Sequence, residues 1–276
     1  MTKRRKYFLL AVMVSYSLLT IFPFIWTVST SFKPLKEVFR SNLIPDEISL
    51  RAYSTVINDV QPSFLTLFSN SMLVSSVAVV SHVMLACLAG YAFARLRFPG
   101  RDIMFYIVLA TMMLPNQVRL VPVYQVLVQL GLINDNPSNF LAIFLVNAIS
   151  AADIFLVRQY FLNVPKELEE AAKIDGASSL RTFVTIMLPL AMPAVAIISI
   201  LTFQGTWNDL FWPSVILQTP NHWTLPFGIL QFSGQYSSDW PSIMALVTLS
   251  TLPILLLYLL GQRYLINMQL ASAVKA

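Results

Sequence analysis

Six stretches of the chain are apolar for long enough to cross a bilayer, and shorter polar runs separate them. They cover residues 8–31, 69–94, 103–123, 139–161, 183–207 and 243–260. A helix rises about 1.5 Å per residue, so roughly 20 apolar residues span the hydrocarbon core. The pattern predicts an all-α membrane protein with six transmembrane helices. The first stretch follows the basic run Lys3-Arg4-Arg5-Lys6. Its apolar run is too long for a signal peptide and no small-x-small cleavage site follows, so it reads as a retained anchor.

Composition agrees with a bilayer as solvent. Of the 276 residues, 57% are hydrophobic and 11% charged, with a mean hydropathy of +0.69; a soluble domain carries about a quarter charged residues. The single cysteine, Cys87, lies inside an apolar run, which leaves no disulfide framework. The net charge of +5 is scattered between spans, which points to membrane orientation rather than nucleic acid.

The basic residues then set the topology. With the N-terminus in the cytoplasm, the inner loops and ends hold thirteen of the eighteen Lys and Arg, among them Arg95, Arg97, Arg101, Arg158, Lys166, Lys173, Arg181, Arg263 and Lys275. The outer set is Lys33, Lys36, Arg40 and Arg51, balanced by Glu37, Asp46, Glu47 and Asp59. Arg119 would lie about 25 Å along the third span and snorkel to the outer headgroups. Both termini come out cytoplasmic, as does the loop before Pro189. The predicted organisation is an N-terminal segment and first span at 1–31, an extracytoplasmic loop at 32–68, and a transmembrane core at 69–276. Pro23, Pro115, Pro122, Pro189, Pro193 and Pro253 fall in spans, where each kinks or ends a helix; ordinary packing kinks and broken, cavity-lining helices both fit.

No motif for catalysis is visible. None of the eight glycines precedes a lysine, so a P-loop is lacking. His82, inside the second span, reads as a helix–helix hydrogen bonder, and it and Cys87 are too isolated to make a metal site. Asp153, the one costly charge, reads equally as a carboxylate satisfied by a neighbouring helix and as a proton or substrate contact.

The stretch PKELEEAAKIDGASSLRTFVTIMLP breaks the apolar pattern. Pro165 suits a helix's first turn, and Glu167, Glu169 and Glu170 sit at the positive end of its dipole. Glu169 and Lys173 have the spacing of an ion pair. Leu168, Ala171 and Ala172 form an apolar strip beside Asp175, Gly176 supplies the stop, and Ser178 or Ser179 caps the next helix. The expected charged helix is about 16 Å long.

EAAKIDGASSLRTFVTIMLPLAMP resembles the EAA motif of bacterial ABC-importer permeases, through Glu170, Ala171, Ala172, Asp175, Gly176, Ala177, Ile186, Leu188 and Pro189. NSMLVSSVAVVSHVMLACLAGYAFARLRFPGR, FLVRQYFLNVPKELEEAA, TWNDLFWPSVIL and QFSGQYSSDWPSIMA look like further segments of the carbohydrate-type permeases. The resemblance implies a type I ABC-importer permease fold in a bacterial inner membrane, with a coupling helix in the loop at about 163–182 docked on a separate ATPase. The implied partners are a second permease subunit, two ATPase copies and an extracytoplasmic substrate-binding protein. No cofactor would be bound here, since ATP and magnesium would belong to the ATPase.

The same resemblance makes Trp207, Asn208, Asp209 and Trp212 candidates for a pathway or outer gate, and Gln231, Gly234 and Trp240 candidates for contact with the binding protein. Substrate stays open between an oligosaccharide, a sugar and a polyol such as glycerol 3-phosphate. In the tail, Met268, Ser272 and Ala276 stand where glycines are usual in the family, which puts any contact needing glycine freedom in doubt. Two rival classes remain. A secondary transporter would show inverted repeats and coupling carboxylates, and a membrane enzyme would show a catalytic cluster.

Overall fold

The computed structural model describes residues 3–133, 138–235 and 238–274, and every regular element among them is helical. Three continuous helices are long and apolar enough to cross a membrane: α1 (Lys3–Ser31), α2 (Phe64–Arg95) and α12 (Trp240–Val274). Between α2 and α12 the chain forms bent pairs. These are α3 (Arg101–Thr111) with α4 (Asn116–Gln129), α5 (Ser138–Val146) with α6 (Ala151–Leu162), and α8 (Ser179–Leu190) with α9 (Met192–Trp207). The charged helix α7 (Glu167–Ile174) joins α6 to α8.

The bends fall at two of the expected proline sites and at one site without proline. The third stretch turns by 104°, because Pro115 has no N–H to give and pushes Leu114 out of helical geometry. Arg119 therefore does not lie 25 Å along a straight rod; it sits on α4, beyond the corner. The fourth stretch bends by 45° and the fifth by 72°, the latter at Ala191 between Pro189 and Pro193. By contrast Pro23, Pro122 and Pro253 sit inside helices that continue through them.

Helix α2 is the hub, packing along α6 and α9, while α12 packs on α1 and α9. Gly90 permits a close approach of α2 to α6: a Cβ there would lie 2.8 Å from Val157 Cγ1 and 3.1 Å from the Arg158 nitrogen. Around this crossing Ala86, Tyr91, Val157, Phe161, Phe183 and Met187 form one buried cluster. Much of α1 and α4 exposes apolar side chains, as segments facing lipid or another membrane subunit do.

The polar segment after α1 is ordered by its charges. Lys36 pairs with Glu47 and Arg40 with Asp46, each at 2.7 Å. Lys33 departs from the carboxylate balance expected: it is buried, donating to the Asn42 carbonyl at 2.6 Å and lying 4.7 Å above the Trp26 ring. The chain between α9 and α12 is largely helical rather than loop, with α10 (Phe211–Ile216) and α11 (Leu225–Gln235). It is fastened to α2: Asn70 donates to the carbonyls of Asn221 and Trp223, and Ser71 Oγ accepts from the Leu225 N–H at 2.7 Å. Of the tail departures, Met268 and Ser272 fall on α12, and Ala276 lies outside the described residues.

Candidate functional site: the charged helix and the cavity beside the broken spans

Helix α7 starts at Glu167 and spans about 12 Å, shorter than expected because Pro165 and Lys166 stay outside it. Its C-terminus closes with two hydrogen bonds: Ala177 N–H to the Ala172 carbonyl at 2.9 Å, and Gly176 N–H to the Lys173 carbonyl at 3.0 Å. This is a Schellman turn, which needs a left-handed residue at its corner, and Gly176 supplies it with φ +80°. Two residues later Ser178 Oγ accepts from the Arg181 N–H and caps α8.

The helix has two faces. Glu167, Glu170, Ala171 and Ile174 recur at i, i+3, i+4 and i+7 and are exposed; Glu169 and Ala172 turn inward. The alanine pair expected to act together is therefore split, Ala171 outward and Ala172 buried. Leu168 and Asp175 are exposed as well, and Ala177 is half-buried. Ile174 is 87% exposed and Leu180, just beyond the turn, 67%. Two large apolar side chains standing free among acidic groups make this a surface suited to being covered. Neither is among the residues through which this stretch matches the motif; they lie on either side of its turn.

Glu169 does not pair with Lys173 as its spacing suggested. It faces Arg95 at the end of α2, with Oε1 3.6 Å from Nε. The same guanidinium donates through Nη2 to the Phe161 carbonyl at 2.7 Å and to the Val164 carbonyl. Counting charges toward the cytoplasm had used Arg95 only as a topological marker.

On the other side of the break in the fourth span, a polar cluster stands among apolar helices. The carbonyl of Asn147, freed where α5 ends, accepts from His82 Nε2 at 2.9 Å. His82 Nδ1 lies 2.6 Å from Asp153 Oδ2 and 3.2 Å from Thr202 Oγ1. A carbonyl only accepts, so Nε2 donates to Asn147, while Nδ1 faces the Asp153 carboxyl and the Thr202 hydroxyl. Asp153 is thus satisfied by a neighbouring helix, the first of its two readings, and His82 bonds helix to helix as expected.

This cluster edges a cavity of about 570 Å³ whose wall includes His82, Asn116, Arg119, Asn147, Asp209 and Trp212. Of the four gate candidates, the structure brings Asp209 and Trp212 to this wall. Asp209 Oδ1 accepts from the Phe211 N–H at 2.9 Å; burial pushes its carboxyl above the ordinary range, against the lowering effect of the Phe211 and Trp212 N–H groups. Trp207 is instead core, 1% exposed, stacked on Phe203 and donating to the Ser250 carbonyl at 3.1 Å. Asn208 is exposed and bonds back to the Gln204 carbonyl. The three binding-protein candidates lie on two helices: Gln231, half-buried, and Gly234, exposed, on α11, and Trp240, 42% exposed, at the start of α12.

Apolar helices bundled around broken spans, with a capped charged helix between two of them, define a polytopic membrane permease. The chain belongs to the family of binding-protein-dependent transport system inner membrane components, whose model matches residues 82–267. It is 31% identical over 90% of its length to the arabinooligosaccharides transport system permease protein AraQ of Halalkalibacterium halodurans, covering 88% of that protein. It is likewise 31% identical over 94% of its length to the trehalose/maltose transport system permease protein MalG of Thermococcus litoralis, covering 93% of it. Among solved structures, a chain of a bacterial ABC transporter involved in import of the acidic polysaccharide alginate superposes with a TM-score of 0.82 at 26% identity. The match covers 96% of this chain and 98% of that one.

Proposed function

We propose that this chain is one permease subunit of an ATP-driven, binding-protein-dependent importer of a carbohydrate, moving substrate by alternating access. The relatives named for arabinooligosaccharide and trehalose/maltose transport support the substrate class. Each bent pair counts as one crossing in this reading, giving six spans with both termini and α7 in the cytoplasm of a bacterial cell. A second permease subunit completes the pathway around the cavity. Two copies of a separate ATPase bind ATP and magnesium, and the binding protein delivers substrate from outside.

The observation that carries the reading is α7. Its outward face offers Glu167, Glu170, Ala171 and Ile174 to a partner, while its inward face and its Schellman turn tie it to α2 and α8. Closure of the ATPase dimer pushes α7; α8 and α9 then shift as bodies about the bend at Ala191, switching the bundle between two packings. The 72° bend makes the fifth span a jointed lever, as its prolines led one to expect.

The test is purification of the tagged chain in mild detergent with its operon products, followed by uptake of labelled oligosaccharide in proteoliposomes. Co-purification of an ATPase and ATP-dependent uptake are expected. Uptake driven by an ion gradient with no ATPase bound would overturn the reading in favour of a secondary transporter.

A further inference from the structure

The end of α2 holds a charged group that the coupling path through α8 and α9 does not use. Arg95 is almost fully enclosed, its side chain 4% exposed, and Glu169 opposite it is 13% exposed. Removing a guanidinium from water is costly unless its donors are met. Two are met by backbone: Nη2 donates to the carbonyls of Phe161 and Val164, which end α6 and open the link into α7. Nε and Glu169 Oε1, though both buried, have no hydrogen bond. They face each other at 3.6 Å, whereas a charge-assisted hydrogen bond between such groups closes to about 2.8 Å.

The unclosed gap is the informative feature. Two opposite charges held in a pocket of low dielectric, less than about 1 Å beyond bonding distance, stay apart only while their helices hold them apart. Arg95 is tied to the last turn of α6 by the Phe161 carbonyl and to the link beyond it by that of Val164, and the adjoining Tyr91 is wedged between Phe161 and Phe183 with ring centroids 5.8 and 5.1 Å away. These ties hold the guanidinium at the end of α2, so a shift of α7 changes its distance to Glu169. A small inward shift of α7 closes the bond, and an outward shift opens it.

We propose that Arg95 is a positioning residue through which α7 drives α2, the Arg95–Glu169 pair closing when the partner ATPase presses on α7. The hub helix then receives the stroke directly, in parallel with α8 and α9, and passes it to His82 and the cavity wall further along the same helix. This rests on the importer reading above and adds a second transmission route to it.

The test uses the complete complex in proteoliposomes and reads the number of ATP molecules hydrolysed per substrate transported. Damage to folding or assembly lowers both rates and leaves their ratio unchanged; loss of transmission lets hydrolysis run on without transport. Glu169→Gln keeps the shape of the side chain and removes its charge. Arg95→Lys keeps the charge and loses the fork that holds the carbonyls. The ratio is expected to rise at least about fivefold in Glu169→Gln, the lower end of ordinary coupling free energies, and also to rise in Arg95→Lys. A ratio equal to that of the unsubstituted complex in Glu169→Gln, whatever the absolute rates, overturns the proposal. Failure of the unsubstituted chain to hold any ATPase overturns instead the importer reading beneath it.

Discussion

Replacing Gly176 separates two ways in which a glycine can matter. Its φ of +80° lies where side chains are rarely tolerated, yet a Cβ built there meets nothing within 4 Å. Bulk is therefore not what the site forbids; the backbone conformation is. Holding an ordinary L-residue in the left-handed region costs about 1–2 kcal/mol, and a β-branched residue stands at the upper end. That energy shifts the equilibrium of the Schellman turn by about 5- to 30-fold, enough to let α7 fray from the 2.9 and 3.0 Å bonds to Ala172 and Lys173 that join it to α8. Asparagine is the non-glycine residue that accepts this conformation most readily. The account predicts that Gly176→Val loses most substrate uptake in proteoliposomes of the assembled importer while Gly176→Asn, larger than alanine, keeps most of it. Both variants should insert normally, as judged by membrane fractionation. Equal uptake in the two, whether both active or both dead, would refute the reasoning.

Four further outcomes follow from the surroundings of particular residues. His82→Phe leaves the Asp153 carboxylate and the Asn147 carbonyl without their shared partner, a loss of about 3–5 kcal/mol, and should lower the thermal midpoint of the purified complex sharply. Asp153→Asn keeps the shape of the side chain and an oxygen that faces His82, so it should lower the midpoint far less; unimpaired stability with abolished uptake would instead give the carboxylate a transport role. Gly90→Val must push α2 from Val157 on α6, costing about 1–3 kcal/mol. Gly205→Ala, with nothing within 4 Å of its Cβ, should be nearly silent in the same melt.

The elements that could be read from the sequence are those fixed by local chemistry. Periodic apolar length located the spans, and glycine and serine at fixed offsets located the end of α7 and the cap of α8. Proline marked two of the three breaks but not which prolines would break: Pro115 and the Pro189/Pro193 pair border bends, whereas Pro122 lies inside α4. The third break, after Val146, has no proline; it is tolerated because His82 donates to the Asn147 carbonyl, Asn147 Nδ2 donates to the Ile143 carbonyl and Ser150 caps α6. Pairings across 65 or more positions, such as Arg95 with the Phe161 carbonyl or His82 with Asp153, leave no trace in local spacing. For the same reason Glu169 was assigned to Lys173, the nearest opposite charge along the helix, when the fold offered it a buried arginine. The packing of Trp207 against Phe203 and Phe68, which buries it in the core, is likewise not visible from its neighbours in sequence.

The most direct test of the central claim is the accessibility of a single thiol on the outer face of α7. The chain's one cysteine, Cys87, is buried, so Ile174→Cys adds one reactive group at a site 87% exposed in the isolated chain. A membrane-impermeant maleimide is applied to inside-out vesicles before and after the peripheral ATPase is stripped away. The account predicts that the thiol is protected while the ATPase is bound, becomes labelled once it is removed, and is never labelled from outside intact cells. Labelling that is indifferent to the ATPase, or that occurs from the outer side, would contradict it.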